Sequence, residues 1–226
     1  MAERPETERR AISLVSGLDS CIMTALLVRE HGEVTPLFVR AGLKWESAEL
    51  SALRDFFEAL GHPGIRPLVE TEIGAGTLYG SHWSTGAEPV PDAFAPDQAF
   101  YLPGRNLLLL SVAATYGAIN EIPRIAIGIL ASNPFPDARP EFLRNFEAAA
   151  GSALDMEITV LTPLAQMHKI DLIKAGADFP VELSLSCADP SNGGHCGVCG
   201  KCGERRRGFI EAGVVDKTLY HELPPL

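Results

Sequence analysis

No run of about 18 consecutive apolar residues occurs in this sequence of 226, so nothing in it reads as a membrane-spanning helix. The opening stretch, Met1 to Arg10, is charged and lacks the apolar core that a secretory signal needs. Basic residues are scarce: 19 Lys and Arg against 29 Asp and Glu leave a net charge of -10. A surface of that sign repels phosphate backbones, which excludes direct binding to nucleic acid as the expectation, while small anions can still find local donors. Internal repeats and low-complexity tracts are absent, as are a Gly-Lys-Ser/Thr phosphate loop and a G-x-G-x-x-G fingerprint. These absences describe a cytoplasmic protein without membrane contact. In a reducing compartment, five cysteines, four of them between positions 187 and 202, point to metal binding more than to disulfides.

With 46% hydrophobic residues the chain has enough apolar side chains for a sizeable core, and 1–226 reads as a single domain. Ala11 to Val15 is an apolar run ending at Ser16-Gly17, after which Asp19 or Ser20 can cap a helix that stops at Gly32. Val34 to Arg40 reads as a second strand, and 46–60 places Leu50, Leu53, Phe56, Phe57 and Leu60 on one helical face before Gly61. Further strands are predicted at Ile65–Val69, Ile125–Leu130 and Ile158–Leu161, and helices at 105–118, 140–150 and 166–175. The alternation predicts an α/β fold with a parallel sheet covered by helices on both faces, and in such sheets ligands bind beyond the carboxyl ends of the strands. The loop 16–20 would lie there. The Gly-, Pro- and Ser-rich stretch from Thr71 to Gly104 reads as a substrate-covering loop.

Cys196-x2-Cys199-x2-Cys202 supplies three thiolates on a tight turn, and Cys187 closes the set from nine residues upstream. Four soft ligands can surround zinc at roughly 2.3 Å and leave no open position, so the ion is structural, with an apparent binding energy on the order of 10 kcal/mol. A [4Fe-4S] cluster would use the same ligands, and composition does not separate the two. Zinc is the expected ion, so 184–213 reads as a zinc-binding C-terminal unit, with Lys201, Arg205, Arg206 and Arg207 offsetting thiolate charge; His195 could replace a ligand but reads as a solvated neighbour. Cys21, just inside the first helix, reads as core packing more than as a nucleophile.

Ser16, Gly17, Leu18, Asp19 and Ser20 join a strand to a helix, where unpaired amides and the positive helix end suit an anion such as pyrophosphate. This loop resembles the Ser-Gly-Gly-x-Asp-Ser motif of the PP-loop ATP pyrophosphatases. Within that superfamily the chain resembles the 7-cyano-7-deazaguanine synthase (QueC) family of queuosine-precursor biosynthesis over almost its full length. The residues that carry the likeness are Tyr101-Leu102-Pro103-Gly104-Arg105-Asn106, Asn133 to Phe142, Thr162-Pro163-Leu164 with His168-Lys169, and Ser184-Leu185-Ser186-Cys187 with the three later cysteines. The family's paired glycines are represented by Gly17 alone. Either the loop is one residue shorter, which suits Val15 as the strand end, or Ser16 stands at the first glycine. A lost glycine removes one backbone donor and some freedom to adopt φ > 0.

The resemblance implies a Rossmann-like fold of the adenine nucleotide alpha hydrolase type and a carbon–nitrogen ligase that uses ATP with Mg²⁺. Its substrates would be 7-carboxy-7-deazaguanine and ammonia, and its product the nitrile, through an adenylated carboxylate and then an adenylated amide. Ser16, Gly17, Leu18, Asp19 and Ser20 would bind phosphate; Lys169, Arg105 and Asp19 would be catalytic; Asp137, Arg105 and Asn106 would bind the deazapurine. For Arg105 and Lys169 a surface salt bridge or a solvated lysine is the plain alternative, and for Asp137 a turn. Trp45, Trp83, Phe94, Phe100 and Tyr101 include candidates to stack on a purine-like ring. The family also implies a homodimer. Other PP-loop activities, tRNA thiolation or amide ligation, and a catalytically silent nucleotide-binding homologue are the competing readings.

Overall fold

Ala11, Ile12, Ser13 and Leu14 are all buried, so β1 (Arg10–Leu14) has two covered faces and belongs inside a sheet. In the computed structural model, which describes residues 9–226, β1 pairs in parallel with β2 (Glu33–Arg40) on one side and β4 (Arg124–Ala126) on the other. The outer strands β3 (Val69–Glu72) and β5 (Thr159–Leu161) complete a five-stranded parallel sheet in the order β3-β2-β1-β4-β5. This is the α/β, Rossmann-like architecture expected. The strand order reverses between β1 and β4, and a crevice opens there at the carboxyl ends. The charged stretch 1–8 lies outside the described residues.

The helices divide between the faces as the strand alternation requires. Ala11, Val34, Phe38 and Ala126 point to one side, where they meet α1 (Leu18–His31), α2 (Glu46–Leu60), α6 (Lys169–Ala175) and α7 (Gly200–Ala212). Ile12, Leu14, Leu37, Val39 and Ile125 point to the other, against α4 (Arg105–Asn120) and α5 (Pro140–Leu154). Leu50, Leu53 and Phe56 of α2 are fully buried, while Phe57 and Leu60 pack at the margin. Pro36 interrupts no pairing. Its missing N–H would face β3, as the Val34 N–H faces Gly64, and β3 pairing begins only at Leu37 opposite Val69. Ser13 and Thr24 share a buried 2.7 Å hydrogen bond that ties β1 to α1, and the Thr24 hydroxyl donates to the Ser20 carbonyl at 2.7 Å.

Three sequence expectations are corrected. The strand at 65–69 is reduced to an isolated bridge at Ile65, because Pro67 follows and cannot donate; β3 starts at Val69. The first helix is capped at Gly17, earlier than Asp19 or Ser20, and begins at Leu18. The predicted strand to Leu130 ends at Ala126. The stretch 71–104, expected as a loop over the site, carries the end of β3, the short α3 (Gly76–Tyr79) and 3-10 turns at Trp83–Thr85 and Asp97–Phe100. Trp83, Phe100 and Leu102 join Trp45 and the four clustered cysteines in a third core.

Replacing Thr24 with Val strands the buried Ser13 hydroxyl, and denaturant unfolding should report a loss of about 1–3 kcal/mol. Adding Ser13→Ala should recover part of it; an unchanged midpoint for Thr24→Val alone would show that the pair does not stabilise the β1–α1 contact.

Candidate active site

At the switch point lies a cavity of about 300 Å³. Ser16, Gly17, Leu18, Asp19, Ser20, Arg105, Asn106, Asp137 and Lys169, separated by up to 153 positions in the chain, all line it. Trp45, Trp83, Phe100 and Tyr101 line it too, whereas Phe94 does not and is 77% exposed. Trp45 and Trp83 stack at 5.5 Å between centroids, Phe100 meets Trp83 edge-on, and Tyr101 stacks on Phe135 at 4.9 Å. These contacts fix two aromatic walls.

The loop after β1 is held by short bonds. The Ser20 hydroxyl accepts from the Ser16 N–H at 2.8 Å and donates to the Gly17 carbonyl at 3.0 Å, which closes the turn. Gly17 has φ -89°, so a left-handed backbone is not what requires glycine. A Cβ there would meet the Leu185 carbonyl at 2.7 Å, and the close approach of the 184–187 segment leaves no room for a side chain. No side chain caps α1 at Gly17, so the first amides of this 14-residue helix remain available at the positive helix end.

Lys169 and Asp19 form a pair with both Asp19 oxygens 2.8 Å from the Lys169 Nζ, and Glu204 of α7 takes the same ammonium at 2.8 Å. Lys201 holds the other oxygen of Glu204 at 2.9 Å. Burial alone would lower the Lys169 pKa, but the two carboxylates outweigh it and raise it; burial would raise Glu204, and the two lysines pull it down to about 2. Lys169 is therefore a fixed cation, not a solvated one. Asp137 accepts the Asn106 N–H through Oδ2 at 2.9 Å, and its carbonyl accepts from the Asn106 side chain at 3.2 Å, so this turn caps α4. Among the described residues the buried Nε of Arg105 has no acceptor.

Sequence reasoning missed Glu49. Only 6% exposed, it lines the cavity and accepts the Ser16 hydroxyl at 3.1 Å. Burial raises its pKa to about 7; Arg105 and the Ser16 bond oppose the shift and Glu46 adds to it. Glu46 itself accepts the N–H groups of Ala41, at 2.6 Å, and Gly42. The signal was present in the periodicity: 46 and 49 fall on the same stripe of α2 as Leu50, Leu53 and Phe56, so two carboxylates sit on a buried face.

The Sγ atoms of Cys187, Cys196, Cys199 and Cys202 lie within 4.8 Å of one another, and none is in a disulfide. The closest pairs, Cys187–Cys199 and Cys196–Cys202, are 3.9 Å apart, far beyond a disulfide and close to the roughly 3.8 Å edge of a tetrahedron with 2.3 Å metal–sulfur bonds. The Cys196 and Cys199 N–H groups point at Sγ atoms, each at 3.4 Å. The set can hold a metal ion. Only Cys196 and Cys199 lie on the expected turn; Cys202 sits in the first turn of α7, a helix the periodicity did not give. Gly197, at φ 89°, lies so close to the Glu222 carbonyl that a Cβ would overlap it.

The basic residues expected to offset thiolate charge have other partners. Arg205 is 1% exposed and donates to Thr218, Ser184, Ser186 and the Val181 carbonyl. Arg206 donates to Pro224 and Arg207 to Ala93, while Lys201 turns to Glu204. His195 is not solvated: it is buried, its Nε2 accepts the Ser186 N–H at 2.9 Å, and burial with the nearby Arg205 charge lowers its pKa to about 3. Cys21 is fully buried in the first core, and burial raises its thiol pKa.

The family model described as queuosine biosynthesis protein QueC matches residues 10–213. A 7-cyano-7-deazaguanine synthase of Methanothrix thermoacetophila is 35% identical over 224 residues, covering 93% of this chain and 98% of its own. The enzyme of the same name from an Anaeromyxobacter species is 33% identical over 97% of this chain and 99% of its own, and that of Syntrophus aciditrophicus 34% over 94% and 97%.

The raised Glu49 pKa has a stability consequence. The folded state holds this proton more tightly than the unfolded chain, so stability falls as pH rises from the usual glutamate range to about 7, by on the order of 3 kcal/mol. Glu49→Gln should therefore unfold at a higher temperature than the parent at pH 8 and at a similar one at pH 4.5. A variant that is less stable at both would show that the ionised carboxylate is not strained.

Proposed function

The chain belongs to the QueC family of queuosine biosynthesis proteins, and on that premise we propose that it is a carbon–nitrogen ligase converting 7-carboxy-7-deazaguanine and ammonia to 7-cyano-7-deazaguanine at the expense of ATP. The observation that carries this reading is the convergence, on one cavity at the carboxyl ends of the sheet, of the loop 16–20 with Arg105, Asn106, Asp137 and Lys169.

In this mechanism the substrate carboxylate attacks the α-phosphorus of ATP and pyrophosphate leaves. The free amides of the first turn of α1, with Ser16, Gly17, Leu18 and Ser20, receive the departing phosphates, and Asp19 holds Lys169 beside them. The charge of Lys169 is already balanced by Asp19 and Glu204, so its role is to fix the loop and to meet negative charge that develops on the adenylate. Arg105, with a buried unpaired Nε, supplies the cation that steadies the carboxylate in line with phosphorus. The unoccupied Oδ1 of Asp137, beside Asn106, suits the amino-pyrimidine edge of the deazapurine, with the stacked Tyr101–Phe135 pair as a flat wall. Ammonia displaces AMP to give the amide; a second ATP activates the amide oxygen, and loss of AMP leaves the nitrile. Mg²⁺ bound with ATP would supply neutralisation of phosphate charge at the loop 16–20.

The metal at the cysteine set is read as zinc. A single ion suits thiolates confined within 4.8 Å, whereas a four-iron cube places an iron between each sulfur and the centre and spreads its ligands wider. Four thiolates leave no position for water, so its function is to hold the 184–213 segment. The same reading has the protein working as a cytoplasmic homodimer of one-domain subunits, supported by the family resemblance.

Purified protein incubated with ATP, Mg²⁺, the carboxylic acid and ammonium should release AMP and pyrophosphate and yield the nitrile by mass spectrometry, with two ATP consumed per nitrile. Adenylation without nitrile would instead favour a simple amide ligase, and no ATP turnover at all would favour a silent homologue. Elemental analysis should find one zinc per chain and neither iron nor labile sulfide. Cys199→Ser should lose the metal and lower the melting temperature by several degrees.

A further inference from the structure

Five acidic side chains line the cavity, and four are committed elsewhere. Asp19 holds Lys169; Glu204 is shared by Lys169 and Lys201; Glu46 accepts two backbone N–H groups; Asp137 caps α4. Glu49 differs. It is buried, one oxygen receives only a neutral hydroxyl, and among the described residues the second oxygen has no hydrogen-bond donor. The titratable or charged groups that face it are Arg105 from α4, Glu46 from its own helix and Cys21 from α1. A buried carboxylate left short of donors is costly, and loop ordering by one Ser16 bond would be served as well by a neutral glutamine.

Resting on the synthase reading, we propose that Glu49 is the general base of the steps at nitrogen, taking the protons that ammonia and then the amide must release. When ammonia joins the acyl adenylate, a C–N bond forms, the C–O bond to AMP breaks with its electron pair leaving on AMP, and one N–H proton passes to the Glu49 carboxylate. In the second half, the amide oxygen attacks the α-phosphorus of a second ATP, pyrophosphate leaves, and one N–H proton is lost. The C–O bond then breaks to release AMP, the last N–H proton departs, and the C≡N bond is complete. Glu49 returns each proton to water between steps. The adenylation of the carboxylate releases no proton and does not require it.

Arg105 tempers this base: its guanidinium offsets the ionised Glu49 across the cavity, against the larger upward push of burial. The resulting position near pH 7 suits a general base.

The test uses full-length, metal-loaded enzyme and separates adenylation from nitrogen chemistry. Isotopic ATP–pyrophosphate exchange is measured without ammonia, and amide and nitrile are quantified at constant free ammonia from pH 6 to 9. In the parent enzyme, nitrile formation should fall about tenfold per pH unit below pH 7. Glu49→Gln should keep exchange within about threefold, lose nitrile formation by on the order of a hundredfold or more and lose the pH 7 inflection, with partial rescue by Glu49→Asp. Nitrile formation by Glu49→Gln within threefold of the parent, or equal loss of exchange and nitrile, would overturn the role, the second by making Glu49 a loop-positioning residue. A parent enzyme without exchange would instead sink the synthase assignment and this role with it.

Discussion

The ion-pair chain Asp19–Lys169–Glu204–Lys201 is the constraint on which the site depends. It joins the first turn of α1, the first residue of α6 and the first turns of α7, three helices packed on the same face of the sheet. An unpaired charge at any of these partly buried positions would be expensive, so the chain keeps all three helix starts in register. One of those starts, α7, also carries Cys202. The loop 16–20 and the cysteine-bearing segment are thereby a single mechanical unit, and the buried Arg205 adds hydrogen bonds from α7 to the hydroxyls of Ser184, Ser186 and Thr218.

The cavity has a division of labour that follows from its walls. On the α1 side, uncapped backbone amides and a lysine held by two carboxylates form a wall that suits an anion. On the α4 side, Arg105 and the Asp137 turn present one unpaired donor and one open acceptor. Between them Glu49 sits against the loop, where burial disfavours its anion. A site that strains a carboxylate in this way gives up stability near neutral pH, the usual trade where a group must accept a proton.

Legibility of the sequence varied with the physical origin of each element. β1, β2, α2, α4 and α5 were readable because long apolar periodicities fix their faces, and ends differed by a few residues only where turns intervene. Helix α7 was not, since Gly200, Gly203 and Gly208 weaken its propensity; it is held by the buried Cys202 and Phe209 and by Arg205 bonds to Val181, Ser184 and Thr218, all distant in sequence. β3 was displaced because Pro67 vetoes pairing only in its actual register. At the site, the residues named from spacing and from family resemblance do line one cavity, but their partners were invisible: Lys169 gave no hint of Asp19, 150 positions away. His195 was misjudged because a histidine beside a metal set looks exposed until the C-terminal tail, which bonds back through His221 to its carbonyl, is in place.

The segment that supplies Trp83 and Phe100 is itself pinned to the cysteines. Asp92 pairs with Cys199, the Gly200 N–H donates to the Pro91 carbonyl, and Arg207 reaches the Ala93 carbonyl across 114 positions. Such joints close long chain loops and are entropically unfavourable until a local anchor exists. The aromatic wall is therefore anchored through the cysteine set: a chain whose four thiols held no ion would keep the sheet's own pairing and lose the anchor of that wall. Cells starved of the ion would then accumulate a chain with an intact scaffold and an unfinished pocket, so metal supply would set the yield of competent enzyme during biosynthesis.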